Sequence, residues 1–155
     1  MILGMSLHFY THLHVAISLI GIASGLLVAF GMLENKALPR MTALFITTTA
    51  LTSVTGFFFP WKGFTPGIKL GIISLVVLLI TLIARSRRWR RTYIITAIIA
   101  LYLNVFVLIA QLFEHIPKLH ALVPADFKIA QLITLILFAV LTFAAVKKFR
   151  FSTYA

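Results

Sequence analysis

The chain has 155 residues, 61% of them hydrophobic and only 11% charged, with a mean hydropathy of +1.08. A soluble domain of this size covers its surface with about a quarter charged residues, so an aqueous globule is excluded and lipid must solvate most of the chain. The formal net charge of +11 comes from fourteen Lys/Arg against three acids, and the absence of cysteine excludes disulfides, iron–sulfur clusters, thiolate zinc sites and cysteine nucleophiles.

Five apolar runs follow in order, each near the ~20 residues that cross ~30 Å of hydrocarbon. They cover about 14–32, 41–60, 67–84, 92–113 and 128–146. Helix breakers stand where a span must end: Pro39, the stretch from Pro60 to Pro66 and Gly67, then Pro117 and Pro124. Short connections make consecutive helices antiparallel neighbours. The expected fold is therefore all-α, a single integral-membrane domain over 1–155 built as an up-and-down bundle of five transmembrane helices. Nothing before residue 14 reads as a cleavable signal, because Met1 to Leu13 carries no Lys or Arg. Residues 1–13 are expected outside, as a helix extension or an interfacial segment with Phe9 and Tyr10 at headgroup level.

Charge orients the bundle. Lys36 and Arg40 follow the first run; Arg85, Arg87, Arg88, Arg90 and Arg91 lie between the third and fourth; Lys147, Lys148 and Arg150 follow the fifth. With five spans these ten of the fourteen basic residues share one side, leaving Lys62, Lys69, Lys118 and Lys128 on the other. The positive-inside rule puts the larger set in the cytoplasm, so the N-terminus is expected outside and the C-terminus inside. Four spans would break this agreement. The basic side is expected to meet anionic lipid heads of the bilayer, and no basic segment is long enough to fold a nucleic-acid-reading module.

Ser18, Gly21, Gly25 and Ala29 form a small-residue stripe on the first run, of the kind that lets helix backbones approach closely in lipid, within the monomer or across a homo-oligomer. The second run carries Thr47, Thr48, Thr49, Thr52, Ser53 and Thr55, whose hydroxyls can bond back to their own helix.

All five histidines fall on the outer side: His8, His12, His14, His115 and His120. On a helix over 5–14, Met5, His8 and His12 share a face; imidazole with thioether suits copper, and imidazole with a carboxylate such as Glu114 suits zinc. His8, His12 and His120 are thus metal-ligand candidates, against the alternative that histidines simply favour an interface. Asn104, Gln111, Glu114 and His115 make one stripe on the fourth run, and Gln131 and His14 enter the membrane at similar depth. Together they would line a polar pocket in the outer half, able to take a quinone head or to hold haem through two imidazoles. The alternative is interhelical hydrogen bonding.

Absences narrow the classes further. Glu34, Glu114 and Asp126 are the only acids, all at or outside the boundaries, and no Lys or Arg lies mid-span. Ion-coupled transport normally needs such a group at depth. No nucleophile triad, phosphate loop or His-Glu-x-x-His pattern is present, so an enzyme is not expected. The stretches TSVTGFFFP (52–60) and LYLNVFVLIAQ (101–111), with Leu13-His14-Val15 opening the first span, resemble a group of small, uncharacterised bacterial multi-pass inner-membrane proteins. The resemblance covers about 13–150 and implies a bacterial inner (cytoplasmic) membrane location, without an activity to transfer. The functional expectation is a non-catalytic accessory subunit of a larger membrane complex; the alternative is a redox or metal-, haem- or quinone-binding membrane protein, and a small-solute channel comes third.

Overall fold

The computed structural model describes residues 4–60, 63, 65–116 and 127–151. Among these residues five helices carry the fold: α1 Leu7–Leu33, α2 Pro39–Gly56, α3 Pro66–Ser86, α4 Arg90–His115 and α5 Phe127–Lys148. Each lies on an expected apolar run, and the differences are at the ends. Helix α1 starts at Leu7 rather than at 14, because Ser6 caps it by accepting from the Phe9 N–H at 3.3 Å. Its 27 residues extend ~40 Å at 1.5 Å per residue, more than the hydrocarbon needs. Helix α2 stops at Gly56, and Phe57 and Phe58 finish it with tight bonds to Val54 and Thr55 carbonyls. Pro60 disfavours helix at the residue before it.

By length and apolarity, four of these helices suffice to cross a membrane: α1, α3, α4 and α5. That is one fewer than the five apolar runs suggested, and α2 makes the difference. It has 18 residues and a composition diluted by Thr and Ser. Its hydroxyls turn back onto its own carbonyls: Thr42 to Leu38, Thr48 to Leu44, Ser53 to Thr49 and Thr55 to Leu51, at 2.7–3.0 Å. Back-bonding of this kind hides hydroxyls from a hydrocarbon phase, which a hydropathy average does not see.

Helices α1 to α4 form a closed ring in which α1 packs on α2, α2 on α3, α3 on α4 and α4 on α1, while α5 lies outside against α4 and α1. The small-residue stripe of α1 seats this ring. A side chain at Gly21 would meet Thr48 Oγ1 at 3.1 Å, and one at Gly25 would lie 2.6 Å from Leu101 and 2.8 Å from the Phe45 ring. Ser18 donates to Thr52 Oγ1 at 3.4 Å. The stripe is thus used inside the monomer. Packing is tightest near the arginine-rich end, where Val28, Met32, Phe45, Leu78, Ile94, Ile98 and Leu101 are buried together.

That end is also tied by hydrogen bonds. Asn35 and Arg88, both at φ 57°, stand in the left-handed position just past α1 and α3. There Lys36 N–H bonds back to Gly31 and Trp89 N–H to Ala84, the pattern that closes a helix C-terminus. Asn35 Oδ1 accepts from the Arg150 N–H at 2.7 Å, and Arg90 Nη1 donates to the Val146 and Phe149 carbonyls at 2.6 and 2.9 Å. The α1–α2 and α3–α4 connections and the end of α5 therefore meet at one end of the bundle. Tyr10, near the start of α1, lies at the other, donating to the Thr55 carbonyl at 2.8 Å.

The closest helix approach predicts a specific sensitivity. Gly25→Val is expected to destabilise the protein by about 1–3 kcal/mol, the usual cost of overpacking, read as a lowered thermal midpoint in detergent. Gly67→Ala, where an added carbon has only Thr65 Oγ1 at 3.8 Å, should leave it unchanged or slightly raised.

Candidate functional site

At the end away from the arginines, His8 and His12 are exposed neighbours one helical turn apart, with ring centroids 4.2 Å apart. Met5 does not join them on a helical face, since the helix begins after Ser6; His120 lies outside the described residues. His12 Nδ1 donates to the His8 carbonyl at 2.8 Å, which leaves Nε2 of the neutral ring as a bare acceptor. His115 behaves likewise, bonding the Gln111 carbonyl at 3.1 Å. Among the described residues, no three His, Asp or Glu side chains gather closely enough to hold one metal ion.

His14 is half-buried and its Nδ1 lies 2.8 Å from Thr55 Oγ1. Thr55 already spends its own proton on the Leu51 carbonyl at 2.7 Å. The imidazole must therefore donate, and its Nε2 carries the lone pair. The ring stands edge-on to Phe59, with centroids 5.2 Å apart, so one polar and one apolar contact hold it at the α1–α2 seam.

The remaining members of the expected polar pocket reach separate partners. Asn104 Nδ2, half-way along α4, donates across the ring to Thr49 Oγ1 on α2 at 2.9 Å. Gln131 on α5 is buried and its Nε2 donates to the Phe106 carbonyl on α4 at 3.0 Å; its Oε1 accepts from none of the described residues. Gln111, Glu114 and His115 are exposed at the end of α4. So His14, Asn104 and Gln131 stitch three different helix pairs: α1 to α2, α4 to α2, and α5 to α4. Aromatic rings surround the last of these, with Phe106 and Phe113 each edge-on to Phe127 and Tyr102 against Phe138.

The opposite end holds a feature that residue-by-residue inspection misses. A cleft of about 750 Å³ opens between the α1–α2 connection, the end of α3, the start of α4 and the chain after α5. Lys36, Arg85, Arg88, Asn35 and Tyr93 contribute to its walls, and Val28 and Met32 line its apolar part. Its only signal in the sequence is the recurrence of basic residues at three connections that an odd helix count brings together. Glu34 sits beside it and pairs with Lys36 Nζ at 2.6 Å. That hydrogen bond and the neighbouring charge hold the Glu34 carboxyl below its ordinary range and the Lys36 ammonium above its own. Both groups are exposed, so solvent screens the pair.

Comparison with known proteins finds no match to this chain: no protein-family model, no curated protein and no solved structure.

If Asn104 and Thr49 work as a packing bond, Asn104→Leu and Thr49→Val should couple in a double-mutant cycle of unfolding in detergent micelles. The coupling expected is about 0.6 kcal/mol, up to ~1.7 kcal/mol, the range for buried interhelical hydrogen bonds. Strict additivity would show that the two side chains act apart.

Proposed function

We propose that the chain is a five-span protein of a bacterial cytoplasmic membrane, N-terminus outside and C-terminus inside, acting as a non-catalytic accessory subunit of a larger membrane complex. The observation that carries this reading is where the interior polar side chains go. His14, Asn104 and Gln131 are each spent on a helix–helix contact, which makes the bundle a scaffold. Helix α5 adds support: only Gln131 and Ala145 are buried along it, while Leu132, Ile136, Leu137, Val140 and Phe143 are more than half exposed. Such a face suits lipid or the apolar flank of a neighbouring subunit.

The position of α2 supports the count of five. It runs beside α1 from Leu38 near Gly31, through Phe45 at Gly25 and Thr48 at Gly21, to Thr55 at His14. A helix in register with a spanning neighbour over that length shares its depth in the bilayer. Five crossings then separate the termini, and the ten-residue basic set selects the cytoplasmic side.

A second reading, metal or redox-cofactor binding at the outer end, draws on the His8–His12 pair and its free Nε2. Two imidazoles one turn apart on the same helix are a partial site for copper, either one could serve as a single axial ligand to haem, and a quinone head would need the same outer-end polar groups. The two readings separate in one preparation. Extraction of the tagged protein in mild detergent should recover a stoichiometric partner and a colourless, metal-free sample. A solitary chain without partners would sink the accessory reading. A visible absorption band or bound copper would favour the second.

A further inference from the structure

Resting on the second reading above, metal binding at the outer end, we propose that His8 and His12 together chelate one exchangeable divalent transition-metal ion, copper(II) best. The two residues stand at i and i+4 on α1 and so share one face of the helix. Both side chains are exposed, and their ring centroids are 4.2 Å apart. Two nitrogens bound to one ion at ~2.0–2.1 Å each lie within about 4 Å of one another. Closing the chelate therefore takes rotation of the rings about their side-chain bonds, not a movement of the backbone.

The hydrogen bonding points to the same ligand. His12 Nδ1 donates to the His8 carbonyl at 2.8 Å. That bond selects the tautomer with its lone pair on Nε2 and steadies the ring, the support that metal-binding histidines receive from a carbonyl or carboxylate. The turn that carries the pair is also built before an ion arrives. Ser6 caps the helix through the Phe9 N–H at 3.3 Å, and Thr11 Oγ1 donates to the Leu7 carbonyl at 2.9 Å. Tyr10 lies midway between the two histidines and, at about 100° per residue, on the opposite face. Its buried ring stands edge-on to Phe59 with centroids 5.2 Å apart, and its hydroxyl donates to the Thr55 carbonyl at 2.8 Å. Docking of Tyr10 on α2 thus turns His8 and His12 away from the bundle, and less freedom is lost when they bind.

The donor set fixes the kind of ion and how firmly it is held. Neutral imidazoles suit the later first-row metals, and copper(II) heads the divalent series at such ligands. Among the described residues no third His, Asp or Glu joins the pair. Two protein ligands hold an ion less firmly than the three or four of a resident centre. The ion therefore exchanges with solution, and its remaining coordination positions are filled by water or by a donor group on another molecule.

The test titrates the full-length protein, freed of any histidine tag, with copper(II) in detergent micelles. Binding is read by calorimetry and by the nitrogen hyperfine pattern of the bound copper in electron paramagnetic resonance. Wild type should bind one equivalent through two imidazole nitrogens. His8→Ala and His12→Ala should each weaken binding at least roughly tenfold, since losing even a group that only supports a ligand costs metal sites ~10–100-fold. Both positions are exposed and alanine favours helix, so these variants keep their fold, which their metal-free thermal midpoints check. His12→Leu with Leu13→His keeps all five histidines but moves one by about 100° around the helix. It should bind as weakly as the single variants, while His115→Ala should bind like wild type. Unchanged copper binding in the single variants places the ion elsewhere; it overturns this chelate and leaves the metal reading standing. Full binding by the register-shifted variant, or a loss in His115→Ala, also overturns the chelate. No copper uptake by wild type ends both the chelate and the metal reading.

Discussion

A polar group in hydrocarbon has no water to bond to, and leaving one unpaired costs several kcal/mol. That constraint organises this molecule more than any single contact. It forces the backbone into helices and then acts again on the side chains. The Thr and Ser hydroxyls of α2 turn to carbonyls one turn back. Asn104, His14 and Gln131 then reach across to other helices. Where α1 meets α2 and α4, glycine removes the side chain altogether so that Phe45 and Leu101 can close on the backbone.

The two ends of the bundle solve different problems. At the arginine-rich end, charge and packing work together. Arg90 closes the carbonyls at the end of α5, Asn35 holds the chain that follows, and Phe149 and Phe151 pack around Tyr93. Arg90 thus acts as a C-terminal cap supplied by another helix, with its cation at the negative end of the α5 dipole. At the other end, the contacts among the described residues are more mixed, with Tyr10 and His14 each meeting both a polar atom of Thr55 and the Phe59 ring. Beyond Leu101 only Phe113 is buried on α4, and imidazoles take the hydroxyl or carbonyl oxygens within reach.

Much of this was legible in the sequence, and the reasons for the misses are physical. Hydropathy and breakers located all five helices because the apolar runs are long and Pro39, Pro60 and Pro66 interrupt them. Before residue 14 the sequence allows a helix extension or an interfacial segment, because His8, Thr11 and His12 lower the apolarity there; the Ser6 cap and the Tyr10 bond to Thr55 select the extension from Leu7. The spanning status of α2 is ambiguous to an apolarity average because that average counts a threonine as polar whether or not its hydroxyl is already bonded. The stripe on α4 was readable as spacing, but its partners were not. Nothing in the chain around Asn104 announces Thr49, 55 residues away. For the same reason the recurring basic residues announce the charge of the cleft but not its shape, since its walls come from connections far apart in sequence.

The proposed five-span topology requires α2 to cross the bilayer beside α1 with its hydroxyls satisfied internally. The chain has no cysteine, so single cysteines can be placed at Asn35 and at Phe58, on either side of α2, and labelled in intact cells with a membrane-impermeant maleimide. Cysteine at Phe58 should label in intact cells, and cysteine at Asn35 only after the membrane is permeabilised. Labelling of both from the same side would contradict five crossings and the placing of the arginine-rich end in the cytoplasm.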